Sequence, residues 1–177
     1  MTVIAVIGQE SDRTLERLIK DRLSETYGIT YVKNNSLSRY GKGYEILCFD
    51  SEALDYENLD NPVILLKETA EISDGILKTG IAIISSDKKE HIRFAEKSGI
   101  KTITCGFSHT STISFTSETE DSLLISLNRS ITALSGREIE PLEIPVKKTG
   151  ADTYSLMSFT ALRLLLDDFG SDIGRLY

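Results

Sequence analysis

Thr2–Ile7 is an unbroken run of β-branched and apolar residues that stops at Gly8, and it leaves the chain few architectures. A strand that is apolar at every position, rather than at alternate ones, is buried on both faces, which happens in parallel sheets covered by helices. Beyond Gly8, apolar residues recur at Leu15, Leu18, Ile19 and Leu23, the spacing of one helix face. Ser11 or Asp12 supplies a cap for that helix and Gly28 a stop. The opening therefore reads as the first strand and helix of an α/β fold.

Further strands are predicted at Ile29–Val32, Tyr44–Phe49, Pro62–Leu66, Gly80–Ile84 and Ile100–Cys105, and the polar stretch Lys33–Gly43 reads as a loop. A helix capped by Ser86 or Asp87 should turn Ile92, Phe94 and Ala95 inward and close at Gly99. Strand, helix and strand with such short connections make a right-handed βαβ unit. After Gly106 the pattern changes to period two. Thr112–Ser117, Leu123–Leu127, Ser130–Leu134 and Ile139–Val146 read as strands with no helix between them, hence an antiparallel extension over residues 107–147. A last helix, about 152–168, should bury a stripe of Leu156, Phe159, Leu162, Leu165 and Leu166. The expectation is a single α/β domain: a mostly parallel sheet with flanking helices and an antiparallel hairpin extension.

Charge narrows the partners. Of the formal net charge of −7, the stretch from Tyr44 to Ile76 alone carries nine acids against Lys67. Such a surface repels nucleic acid and anionic membrane and leaves room for a basic protein partner. Cys48 and Cys105 both stand in apolar runs and read as buried, inert thiols. Met1–Gly8 lacks a basic leader and reads as a strand, not a signal peptide, and no apolar run approaches the ~20 residues that span a bilayer. A cytoplasmic protein is expected.

In doubly wound folds the turn after the first strand is where phosphate binds, because helix amides point at it. Here that turn reads Gly8-Gln9-Glu10-Ser11-Asp12-Arg13-Thr14. It lacks the further glycines of a dinucleotide fingerprint and the Gly-Lys pair of a phosphate loop. Asp50, at the carboxyl end of a predicted central strand, lies where open sheets place their sites. His91 reads as a helix surface residue and His109 as a loop residue. A strand ending at Asp50 and another ending near Lys67 and Thr69 also suit a phosphoacceptor receiver, but that fold needs paired acids where Gly8-Gln9 stands.

Taken together, these segments resemble the central, ATP-binding domain of the Mur ligases, which add amino acids to cell-wall precursors. That domain opens with a strand, then Gly-Thr-Asn-Gly-Lys-Thr-Thr, then a helix. Gly8 and Thr14 fall on its first Gly and last Thr, Ser11 on the second Gly, Asp12 on the Lys and Arg13 on the first Thr. The strand Tyr44–Ser51 is similar to the one ending in the family's metal-associated acid. Ile83–Asp87 resembles its Asn-Ala-Asp-Asp segment, Lys101–Phe107 the strand that follows, and Asp152–Ser155 the opening of its final central-domain helix. The stretch from Asp50 to Gly80 is shorter than the family's, without the metal-binding His and modified Lys found there. The family's separate C-terminal domain is not expected here.

The resemblance implies a fold and, through its departures, a loss of activity. Replacing Lys by Asp changes a charge by two units; against one phosphate charge at about 4 Å this is about 8 kcal/mol at an effective dielectric near 20. Reduced about fourfold by solvent and salt, it still costs about 2 kcal/mol, roughly thirtyfold in affinity. The expected protein is a non-catalytic binding or regulatory module derived from a Mur ligase-like central domain and linked to cell-wall metabolism. It would have no cofactor, no metal and no catalytic residue, and its partner would be a protein or a small molecule. The alternative is a small nucleotide-dependent ligase or transferase that keeps phosphate binding at the turn. The candidate ligand-binding residues are Gly8, Ser11, Arg13, Thr14 and Asp50.

Overall fold

The computed structural model describes residues 1–53, 59, 61–72 and 79–168. In chain order its strands are β1 (Thr2–Ile7), β2 (Tyr27–Lys33), β3 (Ser36–Tyr40), β4 (Tyr44–Ser51), β5 (Val63–Leu66), β6 (Ile81–Ser85), β7 (Lys101–Gly106), β8 (Ile113–Glu118), β9 (Ser122–Leu127), β10 (Ile131–Thr132), β11 (Glu138–Ile139) and β12 (Leu142–Lys147). The helices are α1 (Thr14–Leu18), which continues as a π-helical turn at Ile19–Leu23, α2 (Lys89–Ser98) and α3 (Thr153–Leu165).

Ten strands form one sheet in the order β12-β9-β8-β7-β6-β5-β1-β4-β2-β3. From β8 to β2 every neighbouring pair is parallel. Antiparallel pairing is confined to the margins: β3 on β2 at one edge, β9 on β8 and β12 on β9 at the other. The first strand thus lies near the centre, as its all-apolar sequence requires. Alternation along β1 sends Ile4 and Val6 into a large core with Leu15, Leu18, Leu23 and α3, and sends Ala5 and Ile7 into a smaller one with Ile84 and Phe94 of α2. Helices therefore cover both faces.

The extension after Gly106 contains strands and turns and no helix. β8 first continues the parallel sheet for two residues, Cys105 opposite Ile113 and Gly106 opposite Ser114, before the hairpins begin. Residues 139–146 form not one strand but two, β11 and β12, because β11 leaves the main sheet to pair with β10. Lys33–Gly43 is not a loop: Lys33 lies opposite Ser36 across a tight turn with Asn34 at φ 52°, and β3 completes a hairpin. Gly28 lies inside β2, and the first helix already ends at Leu23.

The predicted stripe of α3 widens to its whole circumference, since every residue from Tyr154 to Leu165 is buried. Asp152 caps it, accepting the Ser155 amide at 2.8 Å and the Ser155 hydroxyl at 2.7 Å. The buried hydroxyls of Ser158 and Thr160 donate to the carbonyls of Ser155 and Leu156. Cys48 and Cys105 are free and buried, as their settings imply. His91, expected on the surface, is 1% exposed: its Nδ1 accepts the Ser85 amide at 3.1 Å and draws the ring under the sheet.

Candidate functional site

The carboxyl ends of β1, β4 and β5 meet beneath the turn Gly8–Arg13, and the residue that fills the space is Lys67. It directly follows β5 and is 1% exposed, and its Nζ donates to Asp50 Oδ1 at 2.8 Å and to the Gln9 carbonyl at 3.1 Å. Asp50, in β4, is 3% exposed; its Oδ2 accepts the Tyr31 hydroxyl at 2.8 Å and lies 3.4 Å from Lys33 Nζ. Lys33, at the end of β2, also donates to the Glu10 carbonyl and to Glu16 Oε2, each at 3.0 Å. Two successive turn carbonyls, those of Gln9 and Glu10, therefore face ammonium groups.

The network continues along α1. Glu16 is 2% exposed and receives Arg13 and Lys20 as well as Lys33. Burial pushes its carboxyl up, but hydrogen bonds from the three cations prevail and hold it well below the usual carboxylate range. Lys20 lies over the rings of Tyr31 and Tyr40, at 5.3 Å and 4.9 Å from their centroids. Burial, with Cys48 and Asp50 adding, raises the Tyr31 phenol so that it stays a donor.

Four amides of the turn, those of Gly8, Glu10, Asp12 and Thr14, are also engaged. Gly8 N–H donates to the Ser51 carbonyl at 3.0 Å, and Asp12 N–H to the Gln9 carbonyl at 3.1 Å. Glu10 N–H donates to Glu52 Oε1 at 3.2 Å and Thr14 N–H to Asp12 Oδ1 at 3.1 Å. The chain's own carboxylates thus occupy positions an anion would need. Asp12 also accepts from the Thr69 hydroxyl at 3.4 Å.

Of the residues singled out from sequence, Gly8 and Asp50 come together around Lys67. Gly8 has φ 142°, and a Cβ there would sit 2.7 Å from Lys67 Cβ. Arg13 is exposed, joins the network only through Glu16, and has its guanidinium pKa raised by that bond. Ser11 is exposed beside Gln9, Glu52, Thr69 and Glu71, which with it border a cavity of about 310 Å³. Thr14 faces a different cleft, shared with Thr149 and Gly150. Sequence reasoning missed Glu16, Tyr31, Lys33 and Glu52 as site residues, and it met Lys67 only as a lone base and, with Asp50 and Thr69, in the receiver pattern it set aside; the signal for Lys67 was its place immediately after four apolar residues. Among the described residues no three His, Cys, Asp or Glu side chains converge as metal ligands.

No protein-family model matches the sequence, and no curated protein does. Solved structures do match the fold. One is a UDP-N-acetylmuramoylalanyl-D-glutamyl-2,6-diaminopimelate–D-alanyl-D-alanyl ligase from Acinetobacter baumannii, with a TM-score of 0.53 and 13% identity over 95% of this chain and 44% of that one. Another is a murein peptide ligase from Psychrobacter arcticus, with a TM-score of 0.51 and 13% identity over 98% of this chain and 48% of that one. The fold is Mur ligase-like. The likeness takes in the antiparallel extension as well as the parallel core, since it covers nearly the whole chain. The chain spans less than half the length of either ligase. At this identity the Mur ligase-like fold is what the two structures share with it.

Proposed function

We propose that the chain is a non-catalytic binding or regulatory module on a Mur ligase-like scaffold, linked to cell-wall metabolism and working in the cytoplasm. Its ligand would be a protein partner or a small molecule. The link to the cell wall rests on the two similar structures, both named as ligases of cell-wall peptides. No helix among the described residues is long and apolar enough to cross a membrane.

The observation that carries the non-catalytic reading is the polarity of the turn after β1. A phosphate cradle presents amides to its centre. Here the Gln9 and Glu10 carbonyls point at Lys67 and Lys33, while the Glu10 and Thr14 amides serve the carboxylates of Glu52 and Asp12. Those residues do not fit the phosphates of a nucleotide. Admitting one would require expelling two carboxylates and reversing two peptide groups, so the Asp12 replacement is one of several obstacles. On this reading the turn is a degenerate phosphate loop.

Isothermal titration with Mg-ATP at low salt tests it. Neither the native protein nor Asp12→Lys should show saturable binding below about 1 mM, equivalent to only ~4 kcal/mol. Micromolar binding by the native chain would overturn the reading. Tight binding by Asp12→Lys alone would show that one residue, rather than the turn's polarity, closed the site.

A further inference from the structure

A second cleft lies between the first helix and the segment that leads into α3. It encloses about 260 Å³, with Thr14, Arg17, Leu18 and Asp21 on the helical wall and Thr149 and Gly150 opposite. Gly150 has φ 76°, and a Cβ there would meet nothing within 4 Å, so the wall opens onto free space. Arg22 also borders the cleft but is engaged in an interaction of its own.

Arg17 and Asp21 stand one turn apart, both exposed, and among the described residues their side chains form no ion pair or hydrogen bond, with each other or elsewhere. A base placed N-terminal to its acid at i,i+4 is the weaker orientation of such a pair. α1 ends at Leu18 and the π-helical turn begins at Ile19, between the two, and π-helical turns recur at functional sites. Both charges line one cavity.

We propose that this cleft binds a small zwitterion of amino-acid size, its carboxylate on Arg17 and its ammonium on Asp21, with the Thr14 and Thr149 hydroxyls alongside. Size and charge both favour that class. About 260 Å³ falls just below the roughly 300–1,000 Å³ of drug-sized ligand pockets, so the cleft suits a ligand of few atoms better than a nucleotide. A bare anion would leave Asp21 beside it unpaired, and a bare cation would do the same to Arg17; a molecule carrying both charges satisfies both residues. The cleft shares no residue with the Lys67–Asp50 network, and it uses the hydroxyl of Thr14 where the reading above uses only its amide, so the two are tested independently.

The test is a nuclear magnetic resonance titration of the whole chain with glycine and L-alanine, and separately with acetate and methylammonium. The amino acids should move the amides of Arg17, Asp21 and Gly150 saturably, with Kd on the order of 1 mM, and the single-charge compounds should bind roughly tenfold more weakly. Arg17→Gln and Asp21→Asn should each weaken the amino acids about tenfold while leaving the urea midpoint unchanged, since both side chains are exposed. Three results would overturn the proposal. One is no shift at these amides up to about 50 mM amino acid. Another is acetate binding as well as glycine, with Asp21→Asn having no effect. The third is undiminished amino-acid binding by the double variant.

Discussion

Removing the Lys67 ammonium while keeping its stem, as in Lys67→Met, tests whether the buried pair holds the turn closed. The charges lie 2.8 Å apart, which gives about 6 kcal/mol of attraction at an effective dielectric near 20. Desolvating the two groups costs several kcal/mol each, so the intact pair contributes little net stability. Breaking it is different, because Asp50 then stays buried with less compensation, and such losses run to about 3–5 kcal/mol. Asp50 would keep the Tyr31 hydroxyl and could draw Lys33 in from 3.4 Å, which places the cost at the lower end, about 3 kcal/mol. With a urea slope near 2 kcal/mol/M, the midpoint should fall by roughly 1.5 M. Adding Asp50→Asn removes the stranded charge and keeps an acceptor for Tyr31, so the double variant should recover about 2 kcal/mol of the sum of the single losses. The Asp12 amide, bonded to the Gln9 carbonyl that Lys67 also holds, should exchange with solvent faster in Lys67→Met. A midpoint within about 0.4 M of the native one, under 1 kcal/mol, would refute the idea that this pair is buried and coupled.

Two further outcomes follow from burial elsewhere. Burial, with the charge of Lys88 adding to it, pushes His91 down to about 4 from its ordinary 6.5, against a smaller upward pull from the Ala70 backbone. The unfolded chain then binds a proton that the fold refuses, so stability held above pH 6.5 is lost as pH falls toward 4, by about 3 kcal/mol. His91→Gln should flatten that slope in urea titrations at each pH, and equal slopes in both proteins would contradict it. Cys48 and Cys105 are fully buried, and burial raises both thiols, so an aromatic disulfide reagent should label neither until denaturant is added; fast labelling of the native protein would place a strand wrongly.

What was legible in the sequence was whatever burial on two faces writes continuously. β1, β5 and β6 are apolar at nearly every position, and the sequence finds all three close to their true bounds. β3 is an edge strand with no fully buried residue and with Leu37 71% exposed, so Ser36–Tyr40 carries no apolar period to read. α3 lost its predicted stripe for the opposite reason. With the sheet on one side and the β10–β11 hairpin near its end, even Ser155, Ser158 and Arg163 are buried, and helical periodicity has no solvent side to mark. His91 was hidden by its neighbours: Glu90 and Arg93 are exposed, and the backbone amide of Ser85, distant from the helical pattern, is what the inward-turned ring accepts.

The site shows the same limit in sharper form. Comparing Gly8–Thr14 with a phosphate loop locates the turn and the loss of a lysine at position 12, but which way each peptide group points is set by residues far along the chain. Lys67 and Lys33, 58 and 23 residues from the carbonyls they hold, fix those carbonyls inward, and Glu52 takes an amide from 42 residues away. Gly8 itself carries the argument a step further. In a glycine-rich phosphate turn the first glycine serves the tight bend of the backbone after the strand. Here the close neighbour is the Lys67 stem, and a Cβ at Gly8 would lie 2.7 Å from Lys67 Cβ. The glycine that most resembles a nucleotide site is therefore also the one that the lysine beneath it requires.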